Sequence, residues 1–156
     1  MSKDLYEPKD NVWLFEYPAP ERAIPLGEAR VYNPKAKDLL IVTFGNGVPM
    51  SLRVAKKLET ETGKKARVLD LRWLKPLNAE LIAKHAKEIG KVLVVDEGRE
   101  TGGLSEEIFT AIEEHAGRGI LKKRVVGKDS YIPLAAAANL VLVSEDEIFV
   151  AARSFF

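Results

Sequence analysis

The chain has 156 residues, 46% of them hydrophobic and 30% charged, which is enough for one domain with a sizeable core. Its 24 Lys and Arg residues balance 23 Asp and Glu residues, which argues against a protein that binds nucleic acid through bulk positive charge. The absence of cysteine excludes disulfides and thiolate chemistry and fits the cytoplasm. A polar N-terminus without a signal peptide, and no apolar run long enough to cross a bilayer, predict no membrane association.

The N-terminal part of the chain predicts a boundary between two units. Residues 12–17 form a short aromatic and β-branched run that is typical of a strand. Three prolines between positions 18 and 25 then predict an extended connector, because proline fixes φ and cannot donate to a strand ladder. We therefore interpret residues 1–26 as a tail and linker from a preceding domain, and residues 27–156 as the domain itself.

Strands and helices alternate along that domain. A short edge strand is expected within residues 27–32, and each later strand is an uninterrupted apolar run, as parallel strands buried on both faces are. The helices carry apolar stripes and have capping residues or glycines at their ends. The later strands are predicted at 39–44, 66–71, 92–95 and 120–126, and the helices near 49–62, 78–89, 104–116 and 144–155. This alternation predicts a mainly parallel sheet with helices on both faces, and it leaves the strand order open.

Residues 91–108, KVLVVDEGRETGGLSEEI, hold most of the candidate functional residues. A buried carboxylate is costly unless it is paired, so we expect Asp96 to mark the carboxyl end of its strand. Gly102 and Gly103 would allow a sharp turn before the next helix and leave its first N–H groups exposed. In open α/β sheets, ligands and partners bind at the carboxyl ends of the strands, so a site is expected around Asp96.

The charges in this stretch allow several interpretations. Asp96, Glu97 and Glu100 could form a metal site, an acid–base pair, a partner-binding edge or a solvated loop. Mg²⁺ needs more oxygen ligands than one such cluster offers, so partner contact is the favoured functional interpretation. Asp70 and Arg72 end a strand that is expected to lie beside this one, and could form ion pairs with the loop.

Other candidate chemistry is weaker. The turn at residues 45–50, GNGVPM, lies where a dinucleotide fingerprint would lie but lacks its third glycine; a small anion at the helix N-terminus is the other option. His85 and His115 lie on or beside apolar helical stripes, which predicts half-buried structural histidines. No complete catalytic motif is present, and we predict no catalytic, cofactor-binding or metal-ligating residue in this chain.

Four blocks in order carry a family resemblance. They are IPLGEARVYNPKAKDLLIVTFGNGV from position 24, RVLDLRWLKPLN from position 67, KVLVVDEGRETGGLSEEI from position 91 and RVVGKDSYIP from position 124. Together they resemble the carboxyl-terminal third of thiamine diphosphate-dependent 2-oxo acid dehydrogenase beta subunits, of the pyruvate or branched-chain type, over about residues 11–156. That region is a transketolase carboxyl-terminal domain. The resemblance implies a three-layer α/β/α sandwich of about five strands, with one strand antiparallel to the others.

The resemblance also implies a function. In this family the preceding domain and the alpha region hold thiamine diphosphate and Mg²⁺, so this chain is expected to bind neither by itself. It would be an assembly domain that contacts other subunits or domains of the enzyme, forms a homodimer and helps to dock the lipoyl acyltransferase core. The suspected interface residues are Arg72, Lys75, Asp96, Glu97, Arg99, Thr101, Gly102, Gly103, Asp129 and Phe156.

Two other functions stay open at this point. One is a stand-alone regulatory module that binds an anion or a nucleotide at the turn at residues 45–50. The other is the same domain from a transketolase or a deoxyxylulose-phosphate synthase. After Pro133 the chain also departs from the family pattern, because Leu134 and four alanines replace the usual aromatic residue and proline.

Overall fold

The computed structural model describes residues 16–156. Most of the strand predicted at residues 12–17 lies outside this range, and Glu16 and Tyr17 have no regular secondary structure. The elements are β1 (Arg30–Tyr32), β2 (Leu39–Thr43), α1 (Gly47–Thr62), β3 (Ala66–Asp70), α2 (Ala79–Ile89), β4 (Lys91–Arg99), α3 (Leu104–Ala116), β5 (Leu121–Gly127) and α4 (Glu145–Arg153), with 3₁₀ helices at Pro20–Arg22 and Ala135–Leu140.

The five strands form one sheet in the order β1-β3-β2-β4-β5. Strands β2 to β5 pair in parallel, and β1 runs antiparallel to β3 with Arg30 opposite Asp70. The predicted fold is therefore confirmed, including its single antiparallel edge strand. The order that the sequence left open follows from α2, which carries the chain from β3 past β2 to β4.

The alternation of side chains along the strands builds two cores, one on each face of the sheet. Leu39 and Ile41 of β2 pack with α1 and α4, whereas Leu40 and Val42 pack on the side of α2 and α3. All four side chains are completely buried, and each such side chain contributes roughly 1.5–3 kcal/mol to folding. The helices lie in two layers that cover the sheet, as the three-layer prediction requires.

The observed helix ends can be compared with those that the sequence predicted. The side chain of Asn78 accepts a hydrogen bond from the Leu81 N–H, and Ser144 and Glu147 form the predicted capping box of α4. Helix α1 begins at Gly47, two residues before the expected start, since the chain already turns there. The expectation for His115 was wrong: it is exposed, because the buried stripe of α3 ends at Ile112.

The parallel arrangement brings the ends of four strands together. We call this side of the sheet the carboxyl edge; the loops that follow β2, β3, β4 and β5 all lie there. The chain also enters β1 from this side, because β1 is antiparallel to its neighbour. Within residues 16–156, no helix has both the length and the apolar character that crossing a membrane requires.

Candidate functional site

Asp96 is the centre of the carboxyl edge and is 1% exposed. One carboxylate oxygen accepts a hydrogen bond from the Gly98 N–H at 2.7 Å, and the other accepts from the Ser105 N–H at 2.8 Å. The side chain thus bends its own strand and caps α3. The strand does not end at Asp96 as expected; it continues to Arg99 after an irregularity in its register with β5.

Two glycines near Asp96 leave no room for a side chain. A Cβ at Gly98 would lie 2.8 Å from an Asp96 carboxylate oxygen, and a Cβ at Gly103 would lie 2.4 Å from the Arg99 backbone oxygen. Gly102 has a φ of +69°, which favours glycine for a different reason. The glycines at these positions are therefore needed for the close packing and the backbone turn between β4 and α3.

Glu97 faces the N-terminus of the neighbouring helix α1. Burial raises the pKa of Glu97, and hydrogen bonds from the side chain and backbone of Asn46 oppose that rise. A phosphate at the turn at residues 45–50 would therefore meet a carboxylate. Since Asp96 likewise fills the N-terminus of α3, the chain's own acidic side chains serve both helix ends that could attract an anion.

Thr101 joins the segment after β4 to the loop after β5. Its backbone N–H and hydroxyl donate to the two carboxylate oxygens of Asp129, at 3.0 and 2.5 Å. These hydrogen bonds, the side-chain one first, lower the pKa of Asp129. Beside this link, the Arg99 guanidinium lies 6.0 Å from the centre of the Tyr131 ring. The two loops therefore form one connected surface.

Arg72 and Lys75 lie apart from that surface. Arg72 pairs with Asp70 at 3.4 Å, and Lys75 pairs with Glu107 of α3 at 3.3 Å. Burial raises the pKa of Asp70, and Arg72 opposes the rise. The expected ion pairs from Asp70 and Arg72 to the β4 segment are absent from the described residues, because β2 separates β3 from β4 in the sheet.

Phe156 lies at the opposite edge of the sheet. Its ring centre is 4.4 Å from the ammonium of Lys91, which begins β4, and 5.4 Å from that of Lys64. The suspected interface residues thus fall into three places. Seven lie together around Asp96 and Asp129, two lie on the β3–α2 loop, and one lies at the far edge.

The loop at residues 127–133 was expected to be a possible partner contact, but the sequence interpretation missed Leu134 and Leu140, two exposed apolar residues that follow it. We call residues 131–140 the apolar loop. Tyr131 is 88% exposed, Leu134 is 91% exposed, and Ile132 and Leu140 are also exposed. A signal was present in the sequence, because a proline followed by an apolar run with no polar alternation does not describe a surface helix or a half-buried strand.

The acidic side chains of the carboxyl edge, those of Asp96, Glu97 and Asp129, accept hydrogen bonds from donors of their own chain. Within the described part of the chain, no group of three His, Asp or Glu side chains is placed to hold a metal ion. The fold and this edge define an α/β domain whose loops after β4 and β5 are joined by hydrogen bonds.

Comparison with known proteins agrees with that class. Residues 27–148 match the family described as the transketolase C-terminal domain, and the chain belongs to this family. Its curated relatives include beta subunits of 2-oxo acid dehydrogenases, as the resemblance predicted. The pyruvate dehydrogenase E1 component subunit beta of Bacillus subtilis (strain 168) is 31% identical over 140 residues, which cover 88% of this chain and 42% of that protein.

Two further relatives extend the comparison. The 2-oxoisovalerate dehydrogenase subunit beta of the same bacterium is 37% identical over 100 residues, which cover 64% of this chain and 30% of that protein. A solved structure of a split gene transketolase, described as an inactive beta4 tetramer, superposes with a TM-score of 0.78 at 26% identity, and the match covers 90% of this chain and 46% of that one. The chain spans less than half the length of each of these relatives.

Proposed function

We propose that this chain is the carboxyl-terminal domain of the dehydrogenase component of a 2-oxo acid dehydrogenase, and that it acts in assembly. The observation that carries the proposal is the match to a pyruvate dehydrogenase beta subunit along 140 residues. The placement of Arg99, Thr101 and Asp129 on one connected surface supports the role in assembly, since such a surface can fix the geometry of a partner.

Thiamine diphosphate and Mg²⁺ would belong to the parent enzyme. The helix ends of this domain do not suit a diphosphate, because Asp96 and Glu97 occupy the positions at which it would bind. The same observation weighs against the stand-alone module that binds a nucleotide. Isothermal titration with thiamine diphosphate and Mg²⁺ should give no binding heat at millimolar ligand, and tight binding would contradict the proposal.

Self-association is the partner contact that we expect first. The exposed apolar loop can bury Tyr131 and Leu134 against a second copy, and the neighbouring Arg99 can add a directional contact to the ring. The split gene transketolase is a tetramer of beta chains, and we extend self-association to this chain. Docking of a lipoyl acyltransferase core and a cytoplasmic location stay predictions.

Sedimentation velocity over a range of concentrations tests this contact. A double variant, Tyr131→Ser with Leu134→Ser, should weaken self-association by roughly 100-fold, because each buried apolar side chain contributes about 1.5 kcal/mol or more. Val150→Ser is the matched control, since Val150 is an apolar residue of α4 that is 66% exposed away from this loop. A chain that stays monomeric, or a double variant that associates as the control does, would overturn the contact.

A further inference from the structure

The segment that leads into β1 is held against the domain at two points. The Arg22 backbone oxygen accepts a hydrogen bond from the Arg30 guanidinium at 3.1 Å, and the Gly27 oxygen accepts from the Asn78 side-chain amide at 2.9 Å. Between these points the chain makes a turn, closed by the Glu28 N–H donating to the Pro25 oxygen at 3.1 Å. We call residues 22–29 the strap.

Both anchors lie on regular elements of the domain, since Arg30 begins β1 and Asn78 directly precedes α2. Arg30 lies beside the buried carboxyl group of Asp70, whose negative charge attracts it. Asn78 is the N-cap of α2, where its side-chain oxygen accepts from the Leu81 N–H at 3.0 Å. The strap is therefore tied to the end of β3 and to the start of α2.

The residue type at position 78 is informative. Ser, Thr, Asp and Asn all serve as N-caps, because each offers a side-chain oxygen to the free N–H groups of the first turn. Of the two that carry a carbonyl-type oxygen, Asp in its ionised form has no proton to donate, whereas Asn keeps an amide donor after its oxygen is used. Asn78 uses both halves of its amide, one for the helix and one for the strap.

We infer that Asn78 is a latch that couples the strap to helix α2, so that residues 16–21 leave the domain in a fixed direction at the carboxyl edge. The strap enters on the side where the loops after β3, β4 and β5 lie, because Arg30 pairs with Asp70 at the end of β3. The consequence for a longer protein rests on the proposed function. If a domain precedes this one, the strap would hold that domain facing the loops after β3, β4 and β5.

The test separates the two halves of the amide. Asn78→Asp keeps the cap of α2, removes the donor to Gly27 and places a carboxylate against its carbonyl oxygen. The readout is the rate of trypsin cleavage after Arg22, with cleavage after Arg118, in the exposed turn between α3 and β5, as the internal reference. Val150→Asp, at an exposed position of α4 outside the apolar loop, is the control for the added charge.

We expect cleavage after Arg22 to become about fivefold faster or more in Asn78→Asp, as loss of one hydrogen bond would give, with an unchanged rate at Arg118. Asn78→Ala should release the strap and also lower the melting temperature, because it removes the cap.

A wild-type rate of cleavage after Arg22 in Asn78→Asp would overturn the latch. An equal rise at Arg22 and Arg118 would overturn it too, since Asn78 would then act on the whole domain. Sedimentation does not enter this readout, so the latch and the proposed self-association can fail separately.

Discussion

Asp96 shows how a buried charge can be structural. Its two oxygens accept one N–H from the strand that follows it and one from the first turn of α3. A carboxylate at a helix N-terminus is also favoured by the helix dipole. The charged residues around Asp96 look like a binding site in the sequence. The role of Asp96 in the structure is to fix the path of the chain from β4 to α3.

Asp96→Ala should lower the free energy of unfolding by about 3 kcal/mol, because it leaves the Gly98 and Ser105 N–H groups without their partner. Urea denaturation measures the change. Asp146→Ala is the control: its side chain is 93% exposed and its ion pair with Lys57 is 3.8 Å long, so the loss should stay below about 0.5 kcal/mol. A loss in Asp96→Ala as small as that of the control would show that water replaces the carboxylate at this site.

At the scale of elements, α2 and β3 meet through a buried polar cluster. Arg67 of β3 is 3% exposed and lies beneath the helix, where it bonds to Glu88 and to Nδ1 of His85 at 2.8 Å. Burial first, and then the positive charges of Arg67 and Lys84, lower the pKa of His85, while Glu88 opposes the shift. The neutral imidazole is therefore the form that accepts from Arg67.

This cluster predicts a pH dependence of stability. The pKa of His85 is lower in the folded chain, so the unfolded chain binds the proton more readily. The contribution of neutral His85 to the free energy of unfolding is therefore fully present above the pKa of the unfolded chain, roughly 6.5, and is lost as the pH falls below that value. The difference in unfolding free energy between wild type and His85→Gln should shrink from about pH 8 to about pH 5.5. His115→Gln controls for removing an imidazole from an exposed position; a difference independent of pH in His85→Gln would contradict the prediction.

At the scale of the whole molecule, one sheet separates two cores, and α4 closes one of them. Phe155, just after α4, is 9% exposed and packs into the core beneath α1 and α4. Its neighbour Phe156 is 48% exposed and lies against lysines. Two adjacent aromatic residues thus have different roles that only their position in the fold separates.

Phe155→Ala should lower the free energy of unfolding by about 3 kcal/mol, the size of a cavity left by a buried aromatic residue. Phe156→Ala should cost less than about 1 kcal/mol, because it removes a half-exposed ring and two contacts with lysine. Thermal or urea unfolding of the two variants measures the difference. Equal losses would show that the end of the chain packs as one unit and not as one buried and one exposed residue.

Local patterns in the sequence were sufficient for the elements and for much of the family assignment. The apolar runs of β2 and β4, the cap at Asn78 and the capping box at Ser144 depend on hydrogen bonds and side-chain spacings within a few residues. For the same reason the class of fold followed from the alternation of strands and helices. The ordered blocks that resemble the dehydrogenase beta subunits also needed no structure.

Only the tertiary structure decided which distant residues meet. The crossover through α2 inserts β2 between β3 and β4, so Arg72 cannot reach the segment after Asp96. The same packing places Phe156 at the far edge, turns Asp96 and Glu97 toward the helix ends, and lets Asn78 hold the strap. These contacts join residues that are far apart in sequence, and no spacing along the chain encodes them, because the strand order that creates them is set by packing across the whole sheet.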